Sequence, residues 1–143
     1  MPRCIVTRRM HFNAAHRLWN PAFTEAENER VFGVCNNPNY HGHNYNLDVS
    51  VAGEIDPATG FVLDINRLKA IVEESVVRHL DHKNLNLDVT WFREARVNPT
   101  AEHIAVLCWR LLERAVAPAR LVRIRLWETE RNYVDYEGAD DGT

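Results

Sequence analysis

The sequence is short of cysteine, of basic charge and of long apolar runs, and each shortage excludes a class of protein. Its three cysteines, Cys4, Cys35 and Cys108, are an odd and widely scattered set. They make a poor disulfide framework and suit a reducing compartment, so a cytoplasmic location is expected. The formal net charge is -3, which offers no global attraction for nucleic acid or an anionic membrane. The apolar runs are far too short to span a bilayer. The opening MPRCIVTRRM has no long apolar stretch behind its basic residues, so no secretory leader is expected there. No internal repeat or low-complexity segment interrupts the chain. What it does have is 143 residues, 45% of them hydrophobic, enough for one core in a single domain over 1–143. It also has seven histidines, more than an average composition leads one to expect.

Hydrophobic periodicity places the elements. Residues 1–13 alternate, with Cys4, Val6, Met10 and Phe12 on one face. Residues 14–40, including NPAFTEAENER and CNNPN, read as a long loop with turns, and a loop of that length in a small domain is usually functional. NYNLDVSVAG is a second strand, with Leu47, Val49 and Val51 facing one way. DPATG is a turn, and FVLDI reads as a short strand. From Ile65 the period changes to that of a helix, through Leu68, Ile71, Val72 and Val76, with Asp64 as its cap. A second helix follows Thr100, with Ala101, Ile104, Ala105, Cys108, Leu111, Leu112 and Ala115 in its stripe. Alternation returns over 120–128, with Val122, Ile124 and Leu126 facing inward, and a last strand is expected near Asn132 to Tyr136. The order β, β, α, α, β, β predicts an α+β domain, a four-stranded antiparallel sheet with two helices on one face. That leaves one sheet face bare and two edges open, which association into a closed barrel of several subunits would solve.

The chemistry concentrates in CNNPNYHGHNY, residues 35–45. On an extended segment His41 and His43 point the same way, so two imidazoles can share one metal. His16, just past the first strand, is the third candidate, since three histidines with a fourth position open suit a catalytic zinc. A free cysteine is most often a small buried hydrophobe, and Cys4 and Cys108, on apolar stripes, are read that way. Cys35 instead lies in a polar stretch beside the candidate metal, where a cation and imidazoles would lower its pKa and yield a thiolate. Asp81-His82, after the first helix, pairs a carboxylate with an imidazole. Adjacent residues rarely bond one another well, so the pair is expected to act on a third group. A polar helix terminus explains it equally. Glu128, at the end of an inward face, suits a planar heterocycle carrying an N–H and an amino group. Glu102 is a first-turn glutamate favoured by the helix dipole.

FNAAH, a cysteine five residues before HGHNY, FVLDINRLK, LDHKNLN, NPTAEHIA and WET, in that order along nearly the whole chain, resemble the 6-pyruvoyl-tetrahydropterin synthase family and its relatives. The resemblance implies the tunnelling fold, in which sheets join by threes into a barrel and two barrels meet as a homo-hexamer, a dimer of trimers. It implies that His16, His41 and His43 bind Zn2+, that Cys35 abstracts a proton with Asp81 and His82 as relay, and that Glu128 anchors a pterin ring with help from Glu102. The implied substrate is the pterin triphosphate 7,8-dihydroneopterin triphosphate. Its leaving group should meet cations, for which Arg17 and Lys83 are candidates by adjacency. The sister 6-carboxytetrahydropterin synthase of queuosine biosynthesis uses the same substrate but typically has a shorter gap between cysteine and HGH. The five-residue gap NNPNY resembles the pyruvoyl type, although Tyr40 stands where glycine is common. A non-catalytic metal-binding relative and a hydrolase using zinc-bound hydroxide are the competing readings.

Overall fold

Strict alternation sets the two long strands. In the computed structural model, which describes residues 1–139, β1 (Arg3–His16) and β2 (His41–Glu54) pair antiparallel from end to end, Arg3 opposite Glu54 and His16 opposite His41. Even-numbered residues of β1 and odd-numbered residues of β2 turn toward the helices, where Phe12, Ala14, Tyr45, Leu47, Val49 and Val51 are buried. Phe12 and Tyr45 stack with ring centroids 4.9 Å apart, an arrangement that adds about 0.5–1.5 kcal/mol beyond the buried area. β4 (Arg120–Trp127) runs antiparallel to β2 on its other side, and β5 (Tyr133–Tyr136) pairs with β4. A bulge between Ser50 and Val51 leaves Val122 out of the pairing and sets Leu121 opposite Val51. Leu121, Ile124 and Leu126 therefore line the core where plain alternation predicts Val122.

These are the four antiparallel strands expected. A fifth, β3 (Lys83–Asn84), adds a two-residue parallel pairing to Ala14 and Ala15, giving the order β3-β1-β2-β4-β5. Both edge strands are short, a natural guard against unwanted pairing. The two principal helices cover one face. α2 (Ile65–Val72) runs through a π-helical segment (Glu73–Val77) into α3 (Arg78–Leu80), burying Leu68, Val72, Val76, Val77 and Leu80. The wider π turn lets the adjacent Val76 and Val77 both point inward. Two short helices follow, α4 (Leu85–Asp88) and α5 (Thr90–Ala95), and then α6 (Ala101–Leu112), capped by Thr100 and buried through Ile104, Ala105, Cys108 and Leu112. The other sheet face is polar, crossed by Arg9 on Asp48 and by Arg125 on Asp135.

Three expectations need correction. The loop over 14–40 contains α1 (Glu25–Phe32). Periodicity could not reveal it, because its only buried residue is Asn28. Thr24 starts it by accepting from Glu27 N, and Asn28 Nδ2 ties it to the carbonyls of Asn20 and Thr24. FVLDI is not a strand: Asp64 accepts from Asn66 N and opens α2, while Leu63 packs on the core as a single side chain. Val62 fits against Gly53, where an added Cβ would lie 3.0 Å from its methyl. Finally, Cys4 is exposed rather than buried, in the first half of β1, where no residue is fully buried. Cys108 is buried as expected.

Candidate active site

The register of β1 against β2 builds the centre of the site. His16 is the last residue of β1, still in the strand rather than past it, and lies directly opposite His41, while His43 faces Ala14. Inward positions of paired strands fall side by side, so the three rings close on one another, with centroids 4.6, 5.1 and 4.9 Å apart. One nitrogen from each lies within 4.8 Å of the others.

His16 is wholly buried, and its Nδ1–H donates to the Pro99 carbonyl at 2.7 Å. That bond fixes the tautomer and leaves Nε2 with a lone pair for a ligand. Burial brings the His16 pKa down to about 4, against the opposing pull of the Pro99 carbonyl, so the ring is held in the neutral, metal-binding form. Tyr45, two residues beyond His43, floors the cluster with its hydroxyl 3.4 Å from His16 Nδ1, and burial keeps that phenol protonated. Nε2 of His16, both ring nitrogens of His41 and Nε2 of His43 are buried with no hydrogen-bond partner among the described residues. An unmet buried polar atom costs about 1–3 kcal/mol, so this set fits a divalent metal that accepts imidazole donors.

Two further candidates close on this centre. Glu128, just past β4, brings Oε1 to 4.0 Å from His43 Nε2, and both side chains are mostly buried. Cys35 sits in a 3₁₀ turn (Gly33–Asn36) pinned to the end of β1: Leu18 N donates to the Cys35 carbonyl at 2.8 Å, and Arg17 Nε donates to the Asn36 carbonyl at 2.9 Å. Burial and then the Glu128 carboxylate push the Cys35 thiol up. The depression expected for it is the work of a bound cation, which would act against both.

Asp81 and His82 form a separate corner. Asp81 Oδ1 accepts from Asn13 N at 2.9 Å, and His82 Nδ1–H donates to Asp81 Oδ2 at 2.9 Å. The two adjacent residues thus bond each other, contrary to expectation. His82 has φ of 59°, which folds its ring back onto the neighbouring carboxylate. The pair is held beside β1 by His82 N donating to the Asn13 carbonyl at 2.6 Å. The His82 side chain is 76% exposed. A cleft of about 400 Å³ across the strand ends is lined by His43 on one side and by His82 and Lys83 on the other, but not by Cys35. Glu102 is exposed on the first turn of α6. One chain therefore brings His16, His41, His43 and Glu128 together, with Cys35 at their margin, and leaves Asp81, His82 and Glu102 outside that group. Sequence reasoning missed Tyr45, Asn13 and the Pro99 carbonyl. Tyr45 shares the face of His43 at the next inward position and was open to the same strand argument. The other two are backbone partners that only the fold brings near.

The model of the family described as 6-pyruvoyl tetrahydropterin synthase matches residues 5–139. The chain belongs to the 6-pyruvoyl tetrahydropterin synthase family. Among curated relatives, the human 6-pyruvoyl tetrahydrobiopterin synthase is 46% identical over 133 residues, covering 93% of this chain and 90% of that one. The Drosophila melanogaster protein of the same name is 42% identical over 138 residues, covering 96% of this chain and 81% of the other. The solved Caenorhabditis elegans 6-pyruvoyl tetrahydropterin synthase superposes with a TM-score of 0.89 at 37% identity, covering 97% of this chain and 98% of that one. Family membership confirms the α+β sheet-and-helix architecture. Among the described residues, no helix is long and apolar enough to cross a membrane.

Proposed function

We propose that the chain is a zinc-dependent lyase that converts 7,8-dihydroneopterin triphosphate to 6-pyruvoyl-tetrahydropterin with release of triphosphate. The observation that carries this reading is the set of buried, partnerless nitrogens on His16, His41 and His43 with Glu128 4.0 Å from one of them, in a member of this family. His16, His41 and His43 hold Zn2+, and the neutral state of His16 keeps it available. When bound, zinc supplies positive charge that polarises the side-chain hydroxyls of the substrate and offsets the burial and carboxylate field acting on Cys35. Cys35 takes the carbon-bound proton. Asp81 orients His82 and holds its tautomer, so that the imidazole can relay that proton. Glu128 accepts from the ring N–H and amino group of the pterin, and Glu102 assists it.

Because Asp81 and His82 stand apart from Cys35 in one chain, the complete site is shared between subunits of a homo-hexamer, a dimer of trimers, working in the cytoplasm. The bare polar sheet face, with its cross-strand ion pairs, supports a barrel closed by neighbouring chains. The five-residue gap between Cys35 and His41 supports the pyruvoyl product over the carboxy product of the sister enzyme. The test is to measure zinc and triphosphate release for the wild type and for Cys35→Ala. The proposal expects both to contain zinc and only the wild type to release triphosphate. Undiminished release by Cys35→Ala would point to zinc-bound hydroxide instead, and zinc without release in either protein would point to a non-catalytic metal-binding relative.

A further inference from the structure

A second cavity, of about 430 Å³, opens beside the imidazole cluster, and three arginines, Arg17, Arg93 and Arg96, line it. Among the described residues no carboxylate lines it, which is out of character for a chain of net charge -3. Its walls continue directly from the metal ligands. Arg17 follows His16, Tyr40 precedes His41, and Asn98 precedes the Pro99 whose carbonyl holds His16. Neighbouring Cα atoms are about 3.8 Å apart, so an anion in this cavity lies within one small molecule's length of the three imidazoles.

The walls are braced. Asn86 accepts from Arg17 N at 2.8 Å and donates to the Arg17 carbonyl at 2.9 Å, and Asn98 accepts from Trp19 N at 3.1 Å. Arg17 is fixed by Asn36 and lies 4.9 Å from the Trp19 ring. It is therefore a stationary positive wall. Arg93 has looser contacts, 3.4 Å to the Leu87 carbonyl and 3.4 Å to the exposed Glu94, so it can turn to a ligand. Arg96 has φ of 53° and Tyr40 has φ of 68°, left-handed backbone that neither side chain favours. Strain of this kind persists where the surroundings hold it and gathers at ligand sites. Guanidinium groups are permanently charged and match phosphate oxygens in pairs.

We infer that this cavity is the subsite for the polyphosphate of the substrate, gripped by Arg93 and Arg96 against the Arg17 wall, with Tyr40 between it and the imidazoles. This rests on the lyase reading above and extends the cation set beyond Arg17 and Lys83, the latter of which lines the other cleft. The probe is inorganic triphosphate, titrated calorimetrically into the zinc-loaded, full-length protein. Arg93→Ala and Arg96→Ala should each weaken triphosphate binding about tenfold, and the KM for dihydroneopterin triphosphate should rise in step. Arg93→Lys should recover part of the loss, and zinc content and Tm should stay at wild-type values, which separates lost recognition from misfolding. A double alanine variant that binds triphosphate as tightly as a catalytically active wild type would overturn the subsite. A wild type that binds triphosphate through Arg93 and Arg96 but releases none from the substrate would uphold the subsite and refute the lyase reading.

Discussion

The imidazole centre and the Asp81–His82 corner lie at the same end of β1, yet they are built by opposite means. At the centre, strand pairing does the work. His16, His41 and His43 are inward residues of two strands in one register, and each keeps at least one buried ring nitrogen with no hydrogen-bond partner among the described residues. At the corner, loop geometry does the work. A left-handed His82 bends back onto Asp81, the carboxylate caps a backbone N–H of Asn13, and the imidazole is open to solvent. The centre is preorganised to receive a ligand and gains stability by filling its unmet donors. The corner has met its own hydrogen bonds and still presents a ring outward, as a group serving a site completed by another chain would.

That contrast can be broken at several points. Replacing His16, His41 or His43 by alanine should have the largest effect, taking zinc from about one ion per chain to a small fraction of that and abolishing turnover, since a catalytic zinc needs all three protein ligands. Elemental analysis of the purified variants checks this, and a variant with undiminished zinc would break the centre as drawn. Cys35→Ala should leave the zinc in place and lower kcat by about 10²–10⁴-fold, the usual worth of a positioned proton acceptor. His82→Ala should also retain zinc and lower kcat with little change in KM, by less than Cys35→Ala. If it lost zinc, the two regions would be one. Tyr45→Phe should weaken zinc affinity by less than about tenfold, because its 3.4 Å approach to His16 is long and the Pro99 carbonyl is the main partner. The smallest effect concerns pH. The Asn13 N–H, with further help from His82, holds the Asp81 carboxyl below its ordinary value. A depressed folded pKa stabilises above the unfolded value, and that contribution is lost as pH falls through the folded one. The stability advantage of wild type over Asp81→Ala in chemical denaturation should therefore hold above about pH 4 and shrink below it. An advantage that grew in acid would contradict the hydrogen-bonding pattern of the corner.

The same contrast explains what could be read without a structure. The period-two faces of β1 and β2 were legible, and with them the convergence of His41 and His43. The helical stripe through Leu68, Val72 and Val76 was legible too, because burial enforces periodicity. Elements held by polar contacts were not. α1 hangs on Thr24 and Asn28, β3 is two residues placed by the Asn13–His82 contact, and the bulge at Ser50 that substitutes Leu121 for Val122 leaves no mark in composition. The burial of Cys35 and its Glu128 neighbour were also beyond the sequence, since the 3₁₀ turn is pinned by contacts to the end of β1 and Glu128 arrives from a distant strand end.

The central claim is that these residues, loaded with zinc, eliminate triphosphate and leave a pyruvoyl side chain. Mass spectrometry of the products formed from 7,8-dihydroneopterin triphosphate by the zinc-loaded protein tests it most directly. The account predicts 6-pyruvoyl-tetrahydropterin with an equal amount of inorganic triphosphate. Unchanged substrate, or a carboxy product accompanied by acetaldehyde, would contradict it.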